Sequence, residues 1–220
     1  MDFSNLSPAL ILVTVVGLAL APFVAVMVTS FTKIVVVLSL LRNALGLQQV
    51  PPNVVVNGLA IILSIYVMFP VILDSYAAVD QRAASEPAQK FDLGRLLNLV
   101  ETGREPLRKF LVKHASATER AFFLQTARKL LPAERAQPGA EDFVVVVPAF
   151  TVTELSAAFQ IGFLVFLPFL VIDLIVSNVL LSLGMMMLSP TTVSLPFKLM
   201  LFVSVDGWAK LVHGLVLTYR

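Results

Sequence analysis

Two long runs without a charged residue open the chain. Phe3–Thr32 is uncharged over 30 residues, and Asn43–Leu73 is uncharged over 31. About 20 apolar residues in a helix cross the ~30 Å hydrocarbon layer of a bilayer, so each run is long enough for one crossing. The pattern predicts apolar helices at Pro8–Val28 and Asn53–Leu73.

The segment between these helices, SFTKIVVVLSLLRNALGLQQVPP, is apolar in its middle. Ile34–Leu41 can extend the first helix, and Gly46 and the Pro51-Pro52 pair interrupt the chain after it. The amino-terminal MDFSNLSPALILV has an acidic residue where a secretory signal has a basic region, and it shows no clear cleavage site. We therefore expect this segment to be retained.

A polar insert follows at residues 74–142. It holds 21 of the 30 charged side chains of the chain, whereas the other 151 residues hold nine. Within it, TERAFFLQTARKLLP places apolar residues at helical spacing between charges, and Pro132 ends the predicted helix. We expect a solvated insert of short helices.

A second apolar region begins at FVVVVPAF. Its pattern predicts a helical hairpin with segments near Thr151–Leu183 and Thr192–Leu217 and the tip GMMMLSP between them. Pro168 and Pro196 lie inside these segments and are expected to kink them.

Composition supports a membrane protein, because 58% of the residues are hydrophobic and 14% are charged, against roughly 25% charged in soluble domains. The predicted fold is all-α and polytopic, with an apolar hairpin at 1–73, the polar helical insert at 74–142 and a second hairpin at 143–220. The net charge of +2 is not gathered into a basic surface, so we expect no nucleic-acid partner. Lys33 and Arg42, between the first two helices, favour a cytoplasmic position for that connection and the opposite side for the insert.

The sequence shows no catalytic or metal-binding pattern. His114 and His213 lie in different regions, and there is no nucleophile elbow, Gly-rich phosphate loop or HExxH motif. The absence of cysteine excludes disulfides and thiolate metal sites. We expect neither an enzyme nor a bound cofactor.

Three ionisable residues, Glu154, Asp173 and Lys198, lie within the second apolar region. A charge at the bilayer centre costs about 2.5–3.5 kcal/mol on insertion scales, so an unpaired position facing lipid is unfavourable. On a local interpretation, Thr151 and Glu154 form a capping box. Asp173 then lies at the other membrane edge and Lys198 snorkels to the surface. On the alternative interpretation, the three residues pair across helices or subunits and fix an assembly.

The same region carries a stripe of phenylalanines on one helical face and small residues that let a second helix approach. These residues are Phe159, Phe163 and Phe166, with Ala157, Ala158 and Gly162. A packing surface in a multi-helix assembly is favoured over a ligand site.

Met185, Met186 and Met187 follow Gly184 and precede Ser189-Pro190, so we expect them in a non-helical turn. Three consecutive side chains in a turn cannot all face one core. Flexible thioethers repack around different shapes, and such turns from several copies would form an adjustable apolar constriction. The alternative is a helix end in which methionine fills a gap.

Three long stretches resemble one membrane-protein family: SFTKIVVVLSLLRNALGLQQVPPNVVVNGLAIILS, PAFTVTELSAAFQIGFLVFLPFLVIDLIVSN and GMMMLSPTTVSLPFKLMLFVSVDGW. They look like the R component of the type III secretion export apparatus, the SctR family, which is related to the flagellar export protein FliP. The similarity covers residues 23–73 and 148–215. The lack of a clear cleavable signal favours the virulence- or symbiosis-type injectisome branch.

The resemblance implies a non-enzymatic pore subunit of the export gate, in the bacterial inner membrane with the insert on the periplasmic side. Such subunits form a pentamer with a small two-helix partner and a larger export-apparatus subunit, and pass unfolded proteins. The methionine-rich loop of the family corresponds to Met185–Met187, as a pore gasket. Its charges correspond to Glu154, Asp173 and Lys198, paired between subunits.

Two other functions stay open from the residues. A small-solute or ion transporter would use the three intramembrane charges as a relay, although no internal repeat is visible. A structural scaffold would template a ring without lining its pore.

Overall fold

The computed structural model describes residues 8–47, 49–85, 93–132 and 135–220. The start of the predicted first hairpin (1–7) and two parts of the insert (86–92 and 133–134) lie outside the described residues. Over the described residues the chain is helical and has no β-strand, which confirms the all-α class. The nine helices of this part are α1 Pro8–Val28, α2 Phe31–Ala44, α3 Asn53–Ser85, α4 Leu93–Gly103, α5 Glu105–His114, α6 Ala117–Leu130, α7 Phe143–Ser182, α8 Pro190–Ser204 and α9 Gly207–Leu217.

The first two predicted apolar helices are present. The limits of α1 agree with the prediction, and α3 begins at the predicted Asn53. However, α3 continues beyond the predicted end at Leu73 as far as Ser85. The added sequence, DSYAAVDQRAAS, is polar but rich in alanine and contains no glycine or proline, so nothing in it stops a helix. Hydropathy therefore located the end of the apolar surface and not the end of the helix.

The apolar stretch Ile34–Leu41 does not continue the first helix. It lies in a separate helix, α2, after a break at Thr29 and Ser30. The Thr29 hydroxyl donates to the Ala25 carbonyl at 2.6 Å, a local bond that competes with the backbone pattern of a helix.

Several helices are suited to a membrane. In the described part of the chain, α3 (Asn53–Ala84) and α7 are each long and apolar enough to cross one. Two pairs of consecutive helices separated by short breaks, Thr14–Val28 with α2 and α8 with α9, raise the number of possible crossings to four. The chain is thus a multi-pass membrane protein by length and composition.

The insert contains the predicted helix as α6. Its first turn is capped by Ser116, whose hydroxyl accepts the Thr118 N–H at 3.3 Å, and it ends at Leu130, two residues before Pro132. The preceding helix, α5, packs its Phe110 ring 5.7 Å from that of Phe150 at the start of α7.

The helix that carries Glu154 begins earlier than predicted, at Phe143 instead of Thr151. Asp142 precedes it, and its carbonyl accepts the N–H groups of Val145 and Val146 at 2.8 and 2.9 Å. The Thr151 hydroxyl donates to the carbonyl of Val147, one turn back, so it caps nothing. The capping-box interpretation of Thr151 and Glu154 is therefore wrong.

The last predicted segment is divided into α8 and α9. The break does not fall at Pro196, which lies inside α8, but at Asp206, whose φ of 54° is left-handed. The two helices are bent by 61°. Gly207 follows the break and is required there, because a Cβ at this position would collide with the ring of Phe202.

The residues form two compact units, one of residues up to Ser30 with Met68–Thr153, the other of Phe31–Val67 with Glu154–Arg220. Helix α2 is central to the core of the second unit. Four of its buried apolar residues follow the helical spacing i, i+3, i+4 and i+7. They are Ile34, Val37, Leu38 and Leu41. They pack in two clusters with residues of α3, α7, α8 and α9, among them Val56, Ala158, Phe169, Phe202 and Leu215.

Candidate functional site

The methionine turn, residues 183–189, connects α7 to α8 in a defined conformation. Gly184 has a φ of +72°, in the left-handed region that glycine tolerates best. The Met185 N–H reaches the Leu180 carbonyl at 2.9 Å, and the Gly184 N–H reaches the Leu181 carbonyl at 3.1 Å. These two bonds form a Schellman motif, which satisfies the last carbonyls of α7. Pro190 then begins α8. The predicted non-helical turn is confirmed.

The three methionine side chains of this turn are exposed. Met185 is 47%, Met186 79% and Met187 101% exposed, and their neighbours Leu183 and Leu188 are also exposed. A contiguous apolar patch of this kind marks a surface that contacts lipid or another protein. The backbone of the turn is thus held by the chain, while its side chains are left to contact something else.

A first buried charge cluster, the Glu154 cluster, consists of Lys33, Glu154 and Tyr219. The Lys33 Nζ donates to Glu154 Oε1 at 3.1 Å, and the Tyr219 hydroxyl donates to Glu154 Oε2. The Lys33 Nζ also lies 3.9 Å from the centre of the Tyr219 ring. All three residues are buried. Burial and, after it, the Glu154 carboxylate raise the pKa of the Tyr219 hydroxyl, which keeps its proton and remains a donor.

A second cluster, the Asp173 cluster, joins α7, α8 and the end of α2. The Ser194 hydroxyl donates to Asp173 Oδ1 at 2.5 Å. The Lys198 Nζ donates to Asp173 Oδ2 at 2.7 Å and to the Ala44 carbonyl at 3.1 Å. The ammonium group therefore lies at the negative end of the α2 dipole, where a cation is favourable. Lys198 is 3% exposed and Asp173 27%.

These contacts decide between the interpretations of the three charges. Lys198 does not snorkel, since it is buried against Asp173. Glu154 is neutralised by Lys33 and not by water at a membrane edge. The charges pair across helices within one chain, and pairing between subunits stays a prediction.

Sequence reasoning missed the partners Lys33, Ser194 and Tyr219. Lys33 carries a signal, because it is the first charge after 30 uncharged residues, but we used it only to orient the chain. Ser194 and Tyr219 carry none, because an isolated hydroxyl near an apolar helix is common.

Comparison with known proteins identifies the group to which this chain belongs. The sequence profile of the FliP family matches residues 12–215. The chain belongs to the FliP family. It is 49% identical over 217 residues to hypersensitivity response secretion protein HrcR of Ralstonia nicotianae, covering 98% of this chain and 99% of that one.

Two further relatives are named for the translocation of Yop proteins and for flagellar biosynthesis. Yop proteins translocation protein R of Yersinia pestis is 51% identical over 203 residues, 92% of each chain. The flagellar biosynthetic protein FliP of Pectobacterium carotovorum is 45% identical over 210 residues, 94% of this chain and 77% of that one. The predicted resemblance is confirmed: this FliP-family chain is a component of a type III secretion export apparatus and is not an enzyme.

The phenylalanine stripe of this FliP-family chain is only partly packed. Phe166 packs against the core near Leu41, whereas Phe159 and Phe163 are exposed. Among the small residues, Ala158 is fully buried, and Gly162 lies so close to Leu40 that a Cβ would collide with it. The small residues therefore serve packing within the chain, and the exposed rings are open to lipid or other subunits.

The histidines do not form a site. His114 lies beside the Phe110 ring, with centroids 4.7 Å apart, and His213 is exposed on α9. Across the ranges that the structure describes, no three His, Cys, Asp or Glu side chains are grouped to hold a metal ion.

Proposed function

We propose that this chain is a core pore-lining subunit of the type III export gate and passes unfolded proteins across the bacterial inner membrane. Several copies converge, a pentamer as the resemblance implies, so that Met185, Met186 and Met187 of each copy meet in a methionine collar. The observation that carries this proposal is the exposure of these three methionines on a turn whose backbone is fixed.

The chemistry of methionine suits such a collar. Its side chain is unbranched, has three rotatable bonds and repacks with little strain. Thioethers that meet around an axis would exclude water and ions at rest and yield when an extended polypeptide passes. The fixed backbone would return them to the closed arrangement afterwards.

The length of α7 supports assembly with other subunits. Its 40 residues extend for about 60 Å, roughly twice the hydrocarbon thickness of a bilayer. The first turns of α7 are buried within the chain at Val145, Val146, Ala149 and Phe150. Of its most apolar stretch of 18 residues, however, only 11% is buried. Lipid covers at most about half of such a helix unless it is strongly tilted. Other copies, the small two-helix subunit and the larger export-apparatus subunit are the partners that we propose for the remainder.

Within that assembly, Asp173 is the charge best placed to meet a neighbouring subunit. It is 27% exposed, whereas Glu154 and Lys198 are each 3% exposed. A carboxylate accepts up to about four hydrogen bonds, so Asp173 keeps capacity beyond Ser194 and Lys198. We therefore propose that any pairing between subunits is made through Asp173.

For the topology, we propose that the insert lies on the periplasmic side. Two cations favour this orientation, Lys33 and Arg42. Because Lys33 is buried against Glu154, the cation that favours a cytoplasmic position of the connection between α1 and α3 is Arg42. The chain has no cysteine, so a single cysteine placed at exposed Phe122 in α6 reports the side directly. Labelling by a membrane-impermeant maleimide in intact spheroplasts supports the proposal, and labelling only after lysis contradicts it.

The pore role is tested by the triple change of Met185, Met186 and Met187 to alanine. We expect a higher resting ion conductance of membranes that contain the gate and impaired secretion. Met200→Ala is the matched control, since Met200 is also exposed but lies on α8. Unchanged conductance and secretion in the triple variant would show that the methionines form no gasket.

Crosslinking separates a pore from a scaffold. A photoreactive residue at position 186 should crosslink to a secretion substrate arrested in the gate, and the same residue at position 200 should not. Absence of crosslinks at 186 would favour the scaffold. A transporter is less well supported, because Glu154 and Asp173 already bind Lys33 and Lys198.

A further inference from the structure

We infer that Tyr219 is a positioning residue: acting through Glu154, it fixes the carboxyl-terminal end of α9 to α2 and α7. Tyr219 follows α9, Lys33 lies in α2 and Glu154 lies in α7. One side chain thus contacts both members of an ion pair, with its hydroxyl on the carboxylate and its ring beneath the ammonium group.

The two oxygens of Glu154 have different donors. Oε1 accepts from Lys33 and Oε2 from Tyr219. Because the carboxylate is buried, an oxygen that loses its donor cannot turn to bulk water instead. The Tyr219 hydroxyl therefore lowers the free-energy cost of burying the Glu154 carboxylate. The cluster is complete only when Tyr219 is in place.

Beside the Glu154 cluster, α9 is held by apolar contacts of Leu211 with both core clusters and of Trp208 with the Phe202 ring. Leu215 is its buried residue, and a left-handed residue, Asp206, separates it from α8. Helix α8 in turn begins directly after the methionine turn. The Tyr219 contact therefore fixes the far end of the helical arm that starts at this turn.

The hydrogen bond joins residues 65 positions apart in the sequence, and the Lys33–Glu154 bond joins residues 121 apart. The cluster consequently closes only when α2, α7 and α9 are all in their final positions. A chain in which α9 is displaced retains a buried carboxylate with one donor fewer.

The experiment measures the opening of α9 in the full-length subunit within native membranes. A single cysteine replaces Leu215, which is 1% exposed, in an otherwise cysteine-free chain. The rate of maleimide labelling is then compared for Tyr219→Phe, Tyr219→Leu and the control Tyr76→Phe, which removes the hydroxyl of an exposed tyrosine.

We expect Tyr219→Phe to label about tenfold faster than the parent, the size expected for losing a hydrogen bond to a charged group. Tyr219→Leu, which also removes the ring from Lys33, should label faster still, and Tyr76→Phe should match the parent. Equal labelling of Tyr219→Phe and the parent would overturn the inference.

A second comparison tests whether Tyr219 acts through Glu154. In a Glu154→Gln background, the further change Tyr219→Phe should add little to the labelling rate, because the carboxylate to which the Tyr219 hydroxyl donates is no longer present. Independent, multiplicative effects would overturn the inference. Labelling is measured without secretion, so this result stands apart from the outcome of the pore experiments.

Discussion

The methionine turn and the Glu154 cluster lie in the same compact unit and are built in opposite ways. In the cluster, the side chains are buried and each charged or polar group has its partner within the chain. In the turn, the backbone is satisfied within the chain, but the side chains of Met185, Met186 and Met187 are exposed. The subunit thus pairs its buried charged and polar groups within the chain. It leaves apolar, flexible side chains exposed for contacts with lipid or other proteins.

The largest effect should come from reversing one charge of the Glu154 cluster. We expect Glu154→Lys to destabilise the subunit by about 3–5 kcal/mol, because it places two buried cations side by side. The measurement is the amount of subunit that accumulates in membranes and its assembly on native gels.

Two charge swaps then show where the pairing occurs. Adding Lys33→Glu to Glu154→Lys should restore much of the accumulation, since the ion pair is rebuilt within the chain. Adding Lys198→Glu instead should restore none, because Lys198 contacts Asp173 and not Glu154 in the same chain. Rescue by the second swap would reveal pairing between subunits and contradict the internal one.

A smaller loss is expected from Lys198→Met, which keeps the apolar stem of the side chain but removes its charge. It leaves Asp173 with Ser194 as its donor and the Ala44 carbonyl without the ammonium group. We expect a loss of about 2 kcal/mol, because Asp173 is partly exposed and water replaces part of the lost interaction. The midpoint of thermal aggregation in detergent reports it, and a loss as large as that of Glu154→Lys would argue against this ranking.

Gly184→Ala tests the fixed backbone of the turn. Alanine should destabilise the Schellman motif by about 1 kcal/mol, because a Cβ is unfavourable at a φ of +72°. Within the described residues a Cβ there meets no atom within 4 Å, so the effect is one of backbone conformation. Gly58→Ala is the control: it also has open space but lies inside α3, where alanine should be neutral or stabilising. Equal effects of both changes would contradict the assigned role of Gly184.

The smallest effect on stability should come from the methionines themselves. Replacing Met185, Met186 and Met187 with alanine removes exposed side chains. The free energy of unfolding of the isolated subunit should therefore change by no more than about 0.5 kcal/mol per residue. A large loss would mean that the side chains hold the turn and would remove the contrast with the Glu154 cluster.

Local signals predicted part of this structure well. The charge-free runs and the Pro51-Pro52 pair located α1 and the start of α3, and Gly184 with Ser189-Pro190 located the methionine turn. Each of these features depends on residues adjacent in the sequence.

Other features were missed because their causes are distant or ambiguous. The Thr151 and Glu154 spacing imitates a helix start, but the true start at Phe143 is set by Asp142. Nothing local predicts that Lys33 meets Glu154, 121 positions away. The break at Asp206 was also missed, because proline, at Pro196, is the stronger local signal.

The extent of α7 has a consequence for the life of the subunit before assembly. The first turns of α7 are buried within the chain, but the helix extends for about 60 Å and the hydrocarbon layer is only ~30 Å thick. A newly made copy that reaches the membrane without other subunits therefore exposes apolar surface of α7 that lipid does not cover. Such an unassembled copy is prone to aggregate and to be degraded by proteases. Cells that make this subunit in excess over the other subunits of the export apparatus should therefore accumulate little of the unassembled protein.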